Sequence, residues 1–437
     1  MEEYHQDMSN HTEEMHSGRT KSKGWPKRIN LVILFFASNL ICYMDRINIA
    51  ITAPVIMKEF GWDEAVLGVI LSSFFCGYTL LQIPGGWLAD RYGGKKILCA
   101  GVLWWSFFTM ITPFARSVTN MAFVRALMGL GEGVNFPSIQ SITSRWIPSQ
   151  ERSRVMGFTL SGISVGNILA FPLATWIMTV LGWRYVFFIF GLLGFIWCAF
   201  WIRLAANRPE EHKTIHSNEL EYITAHRPEI PPLVNTPWKL IVSKVQVWAL
   251  VINHFCVSWG FFMFLTWLPT YLVKAHNFSI KEMGIYSMLP YLAMVIGSNG
   301  SGWLADYFIK RTGNITLIRK VFHSVSLFSA SVFLILLAQA EAKPLVIILV
   351  TLALGMLSMT GSTTGPNAMD IGPRYAGIIM GMQTTAGNIA GVIVPVLVGF
   401  IVSFSNRWDL IFYIAAGVLM FGAILWNLFA TGRQILE

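Results

Sequence analysis

Twelve apolar runs of about 20 residues each follow one another along this 437-residue chain. A helical run of this length spans the roughly 30 Å hydrocarbon core of a bilayer, where lipid offers no partner to an unpaired backbone group. Only 13% of the residues are charged, against roughly 25% in soluble domains, so we expect an all-α integral membrane protein. The predicted spans are residues 29–54, 66–88, 97–115, 120–143, 155–180, 184–204, 246–272, 283–306, 319–339, 344–369, 375–402 and 409–431.

An internal repeat divides these spans into two sets of six. The pentapeptide Gly-Trp-Leu-Ala-Asp stands at 86–90 and again 216 positions later, at 302–306. Repeated apolar segments are typical of secondary transporters, whose substrate site lies between the halves near the bilayer midplane. We therefore expect two pseudo-symmetric six-helix bundles. The predicted divisions are a disordered cytoplasmic tail 1–24, bundles 25–204 and 241–431, a cytoplasmic linker 205–240 and a short cytoplasmic tail 432–437.

The distribution of basic residues predicts the orientation. With the N-terminus in the cytoplasm, 23 of the 32 lysines and arginines fall inside and 7 outside, which agrees with the positive-inside rule. Both termini are then cytoplasmic. This topology accounts for the net charge of +9, so no nucleic-acid partner is expected. All five cysteines fall within predicted spans, and no disulfide framework is expected.

Four charged residues lie inside predicted spans, Asp45 and Arg46 in the first and Arg125 and Glu132 in the fourth. A rise of 1.5 Å per residue puts the first three roughly 6 to 8 Å from the outer edge, and Glu132 near the midplane. A charge in the bilayer costs about 2.5 to 3.5 kcal/mol on insertion scales, so such groups face a partner or an aqueous cavity. They either pair off, Asp45 with Arg125 and Arg46 with Glu132, and clamp two helices, or they form a functional site.

In the functional interpretation, arginine binds an anion bidentately and a carboxylate takes up and releases a proton. Two arginines and two carboxylates leave the empty site neutral. An arriving anion then needs a compensating proton, which couples the two by electrostatics.

The repeated pentapeptide has a separate predicted role. Glycine allows close helix approach, and the aspartate can accept hydrogen bonds from backbone donors or arginine at the cytoplasmic ends of helices. We predict a conformational latch between the halves. Its residues are Gly86, Asp90, Arg91, Lys95, Lys96, Gly302 and Asp306.

The loop pattern Gly86-x-x-x-Asp-Arg-x-Gly-x-Lys-Lys resembles the signature of the major facilitator superfamily. Tyr-Met-Asp-Arg at 43–46 and the stretch 125–133 resemble the anion:cation symporter family within it, which carries hexonates, hexuronates, glucarate and phthalate. The resemblance implies the major facilitator fold. It also implies that Arg46 binds the substrate carboxylate, that Asp45 and Glu132 are proton-linked, that Arg125 modulates Asp45, and that Tyr78 contacts substrate.

Further polar residues have two open interpretations. Asn167 comes out at a depth similar to that of Glu132. Asn388 would reach the same cavity, and the alternative for Asn388 is a helix-packing role. Ser362 and Thr363 could read sugar-acid hydroxyls or lie in a close-packed helix contact. His254 could touch substrate or bond a backbone carbonyl, and the second is the expectation.

The leading prediction is a secondary transporter that imports a small carboxylated organic anion, a sugar acid by preference, with protons by alternating access. The alternatives are an organic-anion exchanger or uniporter without proton coupling, and a non-transporting sensor of organic anions. No metal-spaced set of His, Asp or Glu and no Gly-x-Ser-x-Gly turn is present, so an enzyme is not expected.

The predicted ligands and cellular location follow from the same sequence features. We expect no cofactor and no metal, and the proton is the expected coupling ion. We also expect a monomer, whose partners are the anion and the lipid bilayer. The short loop 57–65 differs from the long loop of animal relatives, which predicts a bacterial inner-membrane protein.

Overall fold

The computed structural model describes residues 25–148, 150–227 and 237–436. Within those residues the regular structure is helical throughout, without a strand. The predicted tail 1–24 and part of the predicted linker, residues 228–236, lie outside the described residues.

The first six spans form one bundle. Span 4 is interrupted at Val134, where the backbone leaves the regular helix. The helices are Lys27–Phe60 (span 1), Glu64–Tyr92 (span 2), Gly94–Ile111 (span 3), Val118–Gly133 and Asn135–Trp146 (span 4), Arg152–Val180 (span 5) and Trp183–Leu204 (span 6).

The second bundle repeats the arrangement with two additions. A short helix precedes span 8, and a 3-10 turn divides span 10. The helices are Val245–His276 (span 7), Ile280–Tyr286, Leu289–Thr312 (span 8), Ile315–Leu337 (span 9), Lys343–Ser358 and Thr364–Ile371 (span 10), Ala376–Ser405 (span 11) and Trp408–Phe429 (span 12). Short helices Ser217–Ala225 and Trp238–Ser243 lie between the bundles.

Ten of the twelve spans are long and apolar enough to cross a bilayer by length and composition. The other two are spans 4 and 8. The first is interrupted and carries Arg125 and Glu132, and the second contains the polar stretch 297–302, Gly-Ser-Asn-Gly-Ser-Gly. The fold is therefore the predicted all-α membrane architecture of twelve helices.

Local chemistry sets the tight turn between spans 1 and 2. Gly61 ends span 1 in the left-handed region, with φ of 69°, which glycine adopts without the steric cost of a Cβ. Asp63 then starts span 2, because its Oδ1 accepts a hydrogen bond from the Val66 amide at 2.9 Å. The same turn also places Asp63 next to the second bundle.

Spans 1 and 7 form the centre of the molecule. In the most apolar stretch of span 1, 83% of the residues are buried, and in that of span 7, 67% are buried. The corresponding share is 39 to 50% in the other eight apolar spans. Each carries an internal proline at a corresponding place, Pro54 and Pro269. The charged residues of span 1 thus lie on the helix that is most enclosed by protein.

The two bundles meet at the end that carries the span 1–2 turn. Lys274 Nζ lies 2.6 Å from Glu64 Oε1, and Ser403 Oγ donates to Asp63 Oδ2 at 3.0 Å. The backbones of spans 2 and 11 also touch, since a Cβ added at Gly399 would lie 2.4 Å from the Glu64 carbonyl oxygen. This end of the molecule is closed.

The opposite end, which carries the start of span 1 and the end of span 12, is different. Spans 2 and 11 remain joined as far as Gln82, whose Oε1 accepts a hydrogen bond from Asn388. Beyond that level, hydrogen bonds and ion pairs in the described part of the chain stay within one bundle or join the linker to the first bundle. The structure is therefore closed at the predicted outer end and parted at the predicted inner end.

Candidate functional site

The four predicted charged residues are all buried where span 1 meets span 4. Arg46 donates from Nε and from Nη2 to the same oxygen of Glu132, Oε2, at 3.1 and 2.8 Å. Cys42 Sγ also lies 3.2 Å from that oxygen. The other carboxylate oxygen, Oε1, has no hydrogen-bond partner among the described residues. Arg46 and Glu132 are thus paired, but Glu132 keeps one free oxygen.

Aromatic rings enclose the Arg46 guanidinium. Its Cζ lies 4.5 Å from the ring centroid of Tyr43, 4.7 Å from that of Tyr78 and 5.1 Å from that of Phe74. Each ring face favours a cation within about 6 Å of its centroid. The rings therefore hold the guanidinium in place and leave it little water. Tyr78 was predicted as a hydroxyl contact to substrate, and the structure brings its ring to Arg46.

Asp45 and Arg125 do not form the ion pair that the clamp interpretation expected. Both carboxylate oxygens of Asp45 lack a hydrogen-bond partner in the described part of the chain. Arg125 donates to the backbone oxygen of Arg46 at 3.3 Å and contacts Met128 Sδ at 2.9 Å. One of the two expected pairs is present and the other is absent. A buried carboxyl group without a partner is costly, which is a common mark of functional sites.

The second half contributes less to this site than predicted. The contacts of Ser362 and Thr363 are with a separate polar cluster, in which Arg319 donates to the Ser362 backbone oxygen at 2.7 Å and His323 Nδ1 lies 2.8 Å from Thr363 Oγ1. The 3-10 turn at Met359–Ser362 directs them there. Asn388 contacts Gln82, and Asn167 is buried with no partner for its Oδ1 among the described residues.

Sequence reasoning missed His323, Asn253, Asp370 and Gln82. His323 Nε2 lies 2.6 Å from Asn253 Oδ1, and the histidine ring stacks on Trp426 with centroids 4.2 Å apart. Arg319 forms an ion pair with Asp370 at 3.0 Å. A histidine four residues inside a predicted span was the available signal, since titratable groups in the membrane are rarely without a role.

A cavity of about 640 Å³ lies between spans 5, 7, 8 and 10. His254 lines it and makes no hydrogen bond to a backbone carbonyl within the described residues, so the expected structural role for this histidine is not observed. The other polar residues lining the cavity carry no charge. They are Ser161, Ser164, Ser258, Ser298, Asn299, Ser358 and Thr360.

A second, much smaller space of about 10 Å³ touches Arg46 and Arg125. This volume holds about one water molecule. Phe75 lines the small space and Phe262 lines the large cavity, and their rings meet edge to face with centroids 4.7 Å apart. Because Phe75 belongs to the first bundle and Phe262 to the second, this aromatic contact joins the bundles next to the arginines.

The comparisons with known proteins agree with this architecture. The profile of the Major Facilitator Superfamily matches residues 35–395. The chain belongs to the Major Facilitator Superfamily. It is therefore a multi-pass membrane transporter and not an enzyme, as the sequence predicted.

Several relatives are named as anion transporters. The chain is 40% identical to the rice "Probable anion transporter 4, chloroplastic" over 94% of this chain and 70% of the relative. It is 39% identical to the Arabidopsis thaliana "Ascorbate transporter, chloroplastic" over 94% of this chain and 76% of the relative. It is 34% identical to human Sialin over 93% and 90%.

A solved structure supports the fold alone. It is the inward-facing, unoccupied form of a bacterial homologue of the human lysosomal transporter Spinster, with a TM-score of 0.76 and 16% identity over 93% of this chain and 97% of that one.

In this conformation, the contacts of the superfamily loop signature in the described part of the chain stay within the first bundle. Asp90 Oδ1 accepts from Ser141 Oγ at 2.7 Å and lies 3.8 Å from Arg145 Nη2, and both partners belong to the first bundle. Lys95 donates to the Ile202 backbone oxygen, again in that bundle. The physical reason is that the bundles are parted at this end. A latching role in another conformation stays a prediction.

The remaining latch residues show how far the two copies differ. Gly86 packs near span 4, where an added Cβ would lie 3.6 Å from Pro137, whereas Gly302 has no such neighbour within 4 Å in the described residues. Asp306 is exposed, and Arg91 and Lys96 are exposed as well. The repeat is thus conserved in sequence but its two copies have different surroundings.

Proposed function

We propose that this chain is a proton-coupled symporter that imports a small carboxylated, hydroxylated organic anion. The observation that carries the proposal is the Arg46–Glu132 pair, which is buried, enclosed by aromatic rings and bonded through only one carboxylate oxygen. The narrower resemblance to the anion:cation symporter family supports the same assignment.

The mechanism follows from competition for Arg46. A substrate carboxylate would compete with Glu132 for the positive charge of Arg46, whose Nε and Nη2 both donate to Glu132. A proton on the free Oε1 of Glu132 removes the negative charge that holds Arg46 and frees those donors. Asp45 provides a second proton-accepting group close by, with Arg125 on the same helix interface. The anion and the proton then bind together, because binding of each lowers the free-energy cost of binding the other.

Movement of the bundles would carry the site from one side of the membrane to the other. The outer end is closed by Lys274 with Glu64 and by Ser403 with Asp63, and the large cavity lies between spans 5, 7, 8 and 10. Alternating access requires the reverse arrangement as a second state of similar free energy. The predicted latch residues are candidates for contacts in that state.

The substrate class is supported by the cavity lining. Its polar groups are hydroxyls, one amide and one imidazole, which suit the hydroxyls of a sugar acid rather than a second charge. The relatives include one named for ascorbate, a hydroxylated anion. A bacterial inner membrane, with both termini in the cytoplasm, is the proposed address; the two plant relatives are named as chloroplastic.

An exchanger or uniporter without proton coupling is the second candidate. It is favoured by Arg125, which has no carboxylate oxygen within 4.0 Å among the described residues and can act as a fixed positive site for an anion. In that case Asp45 and Glu132 only hold the arginines in place, and a trans anion rather than a proton drives uptake.

Uptake in proteoliposomes tests the proposal. The panel is galactonate, gluconate, glucuronate, glucarate, phthalate, ascorbate and inorganic phosphate, with an acidic exterior and with or without a protonophore. Accumulation of one carboxylated anion that the protonophore abolishes supports the symporter and names its substrate, whereas preference for ascorbate, which has no carboxylate, contradicts the carboxylate assignment. Accumulation that depends only on an internal anion supports the exchanger, and preference for phosphate contradicts the carboxylate assignment.

A further inference from the structure

A basic cavity of about 770 Å³ lies outside the transport site, at the ends of spans 2, 3 and 6. Its walls are the Tyr92–Lys96 loop, the end of span 6 and residues 205–214 of the linker. Four cations line it, Lys95, Lys96, Arg203 and Lys213, against one carboxylate, Glu211. The cavity therefore carries a net positive charge in a concave site.

These four cations are not neutralised by the protein. In the described ranges, none of them lies within 4.0 Å of a carboxylate oxygen. Two other arginines on the same side are paired, Arg28 with Glu151 and Glu219, and Arg227 with Glu210. Topology alone explains basic residues on this side, but it does not explain why unpaired ones converge on one cavity.

The walls of the cavity are fixed by hydrogen bonds. Trp201 Nε1 donates to the Lys95 backbone oxygen at 3.0 Å while Lys95 Nζ donates to the Ile202 backbone oxygen at 3.1 Å, which joins spans 3 and 6. Trp146 Nε1 donates to the Ala206 backbone oxygen at 3.0 Å and holds the linker. Gly93, with φ of 94°, packs against the Asn207 side chain where an added Cβ would lie 2.9 Å away.

One wall of the cavity is apolar and faces outward. Ile202 lines the cavity and is 57% exposed, next to Leu204 at 40%. Both lie on the last turn of span 6, at the level where a membrane helix leaves the hydrocarbon. A ligand here would meet cations on one side and lipid on the other, which suits a phosphate attached to acyl chains better than a free ion.

We propose that this cavity binds the phosphate of an anionic lipid headgroup, with Lys95, Lys96, Arg203 and Lys213 supplying the charge. Bound lipid would bridge the span 2–3 loop, span 6 and the linker. The site is separate from Arg46 and does not depend on what the protein transports.

Native mass spectrometry of the detergent-purified full chain tests this, with dioleoyl phosphatidylglycerol as the probe and dioleoyl phosphatidylcholine as the neutral comparison. The test variant is Arg203→Gln with Lys213→Gln. The matched control is Lys239→Gln with Arg311→Gln, which removes the same charge from exposed residues outside the cavity. Unchanged melting temperatures verify that both variants fold.

We expect the wild type and the control to retain phosphatidylglycerol over phosphatidylcholine, and the test variant to bind phosphatidylglycerol roughly tenfold more weakly. An equal loss in both variants, or no preference for the anionic lipid, overturns the proposal, because diffuse surface charge would then suffice. Inorganic phosphate is the third arm. If phosphate raises the melting temperature of the wild type but not that of the test variant, while phosphatidylglycerol raises neither, the ligand is free phosphate and the lipid assignment is wrong.

Discussion

The Arg46 guanidinium bonds one oxygen of the Glu132 carboxylate twice and leaves the other oxygen free of hydrogen bonds to the described residues. The pair is buried, and Arg46 also lines a space that holds about one water molecule. A pair held this way can be opened by one proton at the free oxygen, which is the basis of the coupling proposed above.

Arginine geometry at position 46 gives the first prediction. Arg46→Lys keeps the charge but loses the planar fork that engages a carboxylate through two donors. We expect the KM for the transported anion to rise by at least about tenfold, measured as initial uptake in proteoliposomes. Arg184→Lys is the control, since Arg184 pairs with Glu59 at a half-exposed site. A KM within about twofold of the wild type for Arg46→Lys would show that substrate does not use this fork.

Asp45 gives a prediction with opposite effects on stability and function. Asp45→Asn removes a buried carboxyl group without a hydrogen-bond partner among the described residues, so the melting temperature should stay equal or rise. Gradient-driven uptake should fall by at least about tenfold, because a proton-linked group is lost. Asp409→Asn, at an exposed pair with Arg407, should change neither. A lower melting temperature with intact uptake would assign Asp45 a structural role.

The contact between spans 2 and 11 predicts that closure of the outer end requires a glycine at position 399. An alanine Cβ at Gly399 would lie 2.4 Å from the Glu64 backbone oxygen, and no rotamer change relieves a clash with backbone. We expect Gly399→Ala to lower the transport rate by at least about tenfold by opposing closure of the outer end. Gly417→Ala meets no atom within 4 Å among the described residues and serves as control. Equal rates in both variants would mean that transport does not require this close approach.

How much of this could be read from the sequence depends on what sets each feature. The twelve helices follow from apolar length, and the meeting of spans 1 and 4 follows from charges at matching depth. Depth does not give rotation about the helix axis, however. The pairing of Gln82 with Asn388 and the turning of Thr363 towards His323 both depend on that rotation. The parted inner ends, which leave Asp90 within its own bundle, depend on the conformational state.

The aromatic contact between the bundles predicts access to the arginines. Phe262→Ala would join the space of about 10 Å³ to the cavity of about 640 Å³. A cysteine at Ala50, which lines the small space, should then react with a small methanethiosulfonate reagent at least about tenfold faster, in a background without the native cysteines. Phe255→Ala is the control, because Phe255 does not line the cavity. Equal reaction rates in the two variants would mean that Phe262 does not separate the spaces.

The most direct test of the central claim compares gradient-driven uptake with counterflow in Glu132→Gln. The amide keeps the shape of the side chain but carries no charge and takes up no proton. We predict that the variant loses accumulation driven by an acidic exterior and retains counterflow of labelled anion, while Glu59→Gln, at the half-exposed partner of Arg184, retains both. Accumulation by Glu132→Gln that matches the wild type and is abolished by a protonophore would contradict the account.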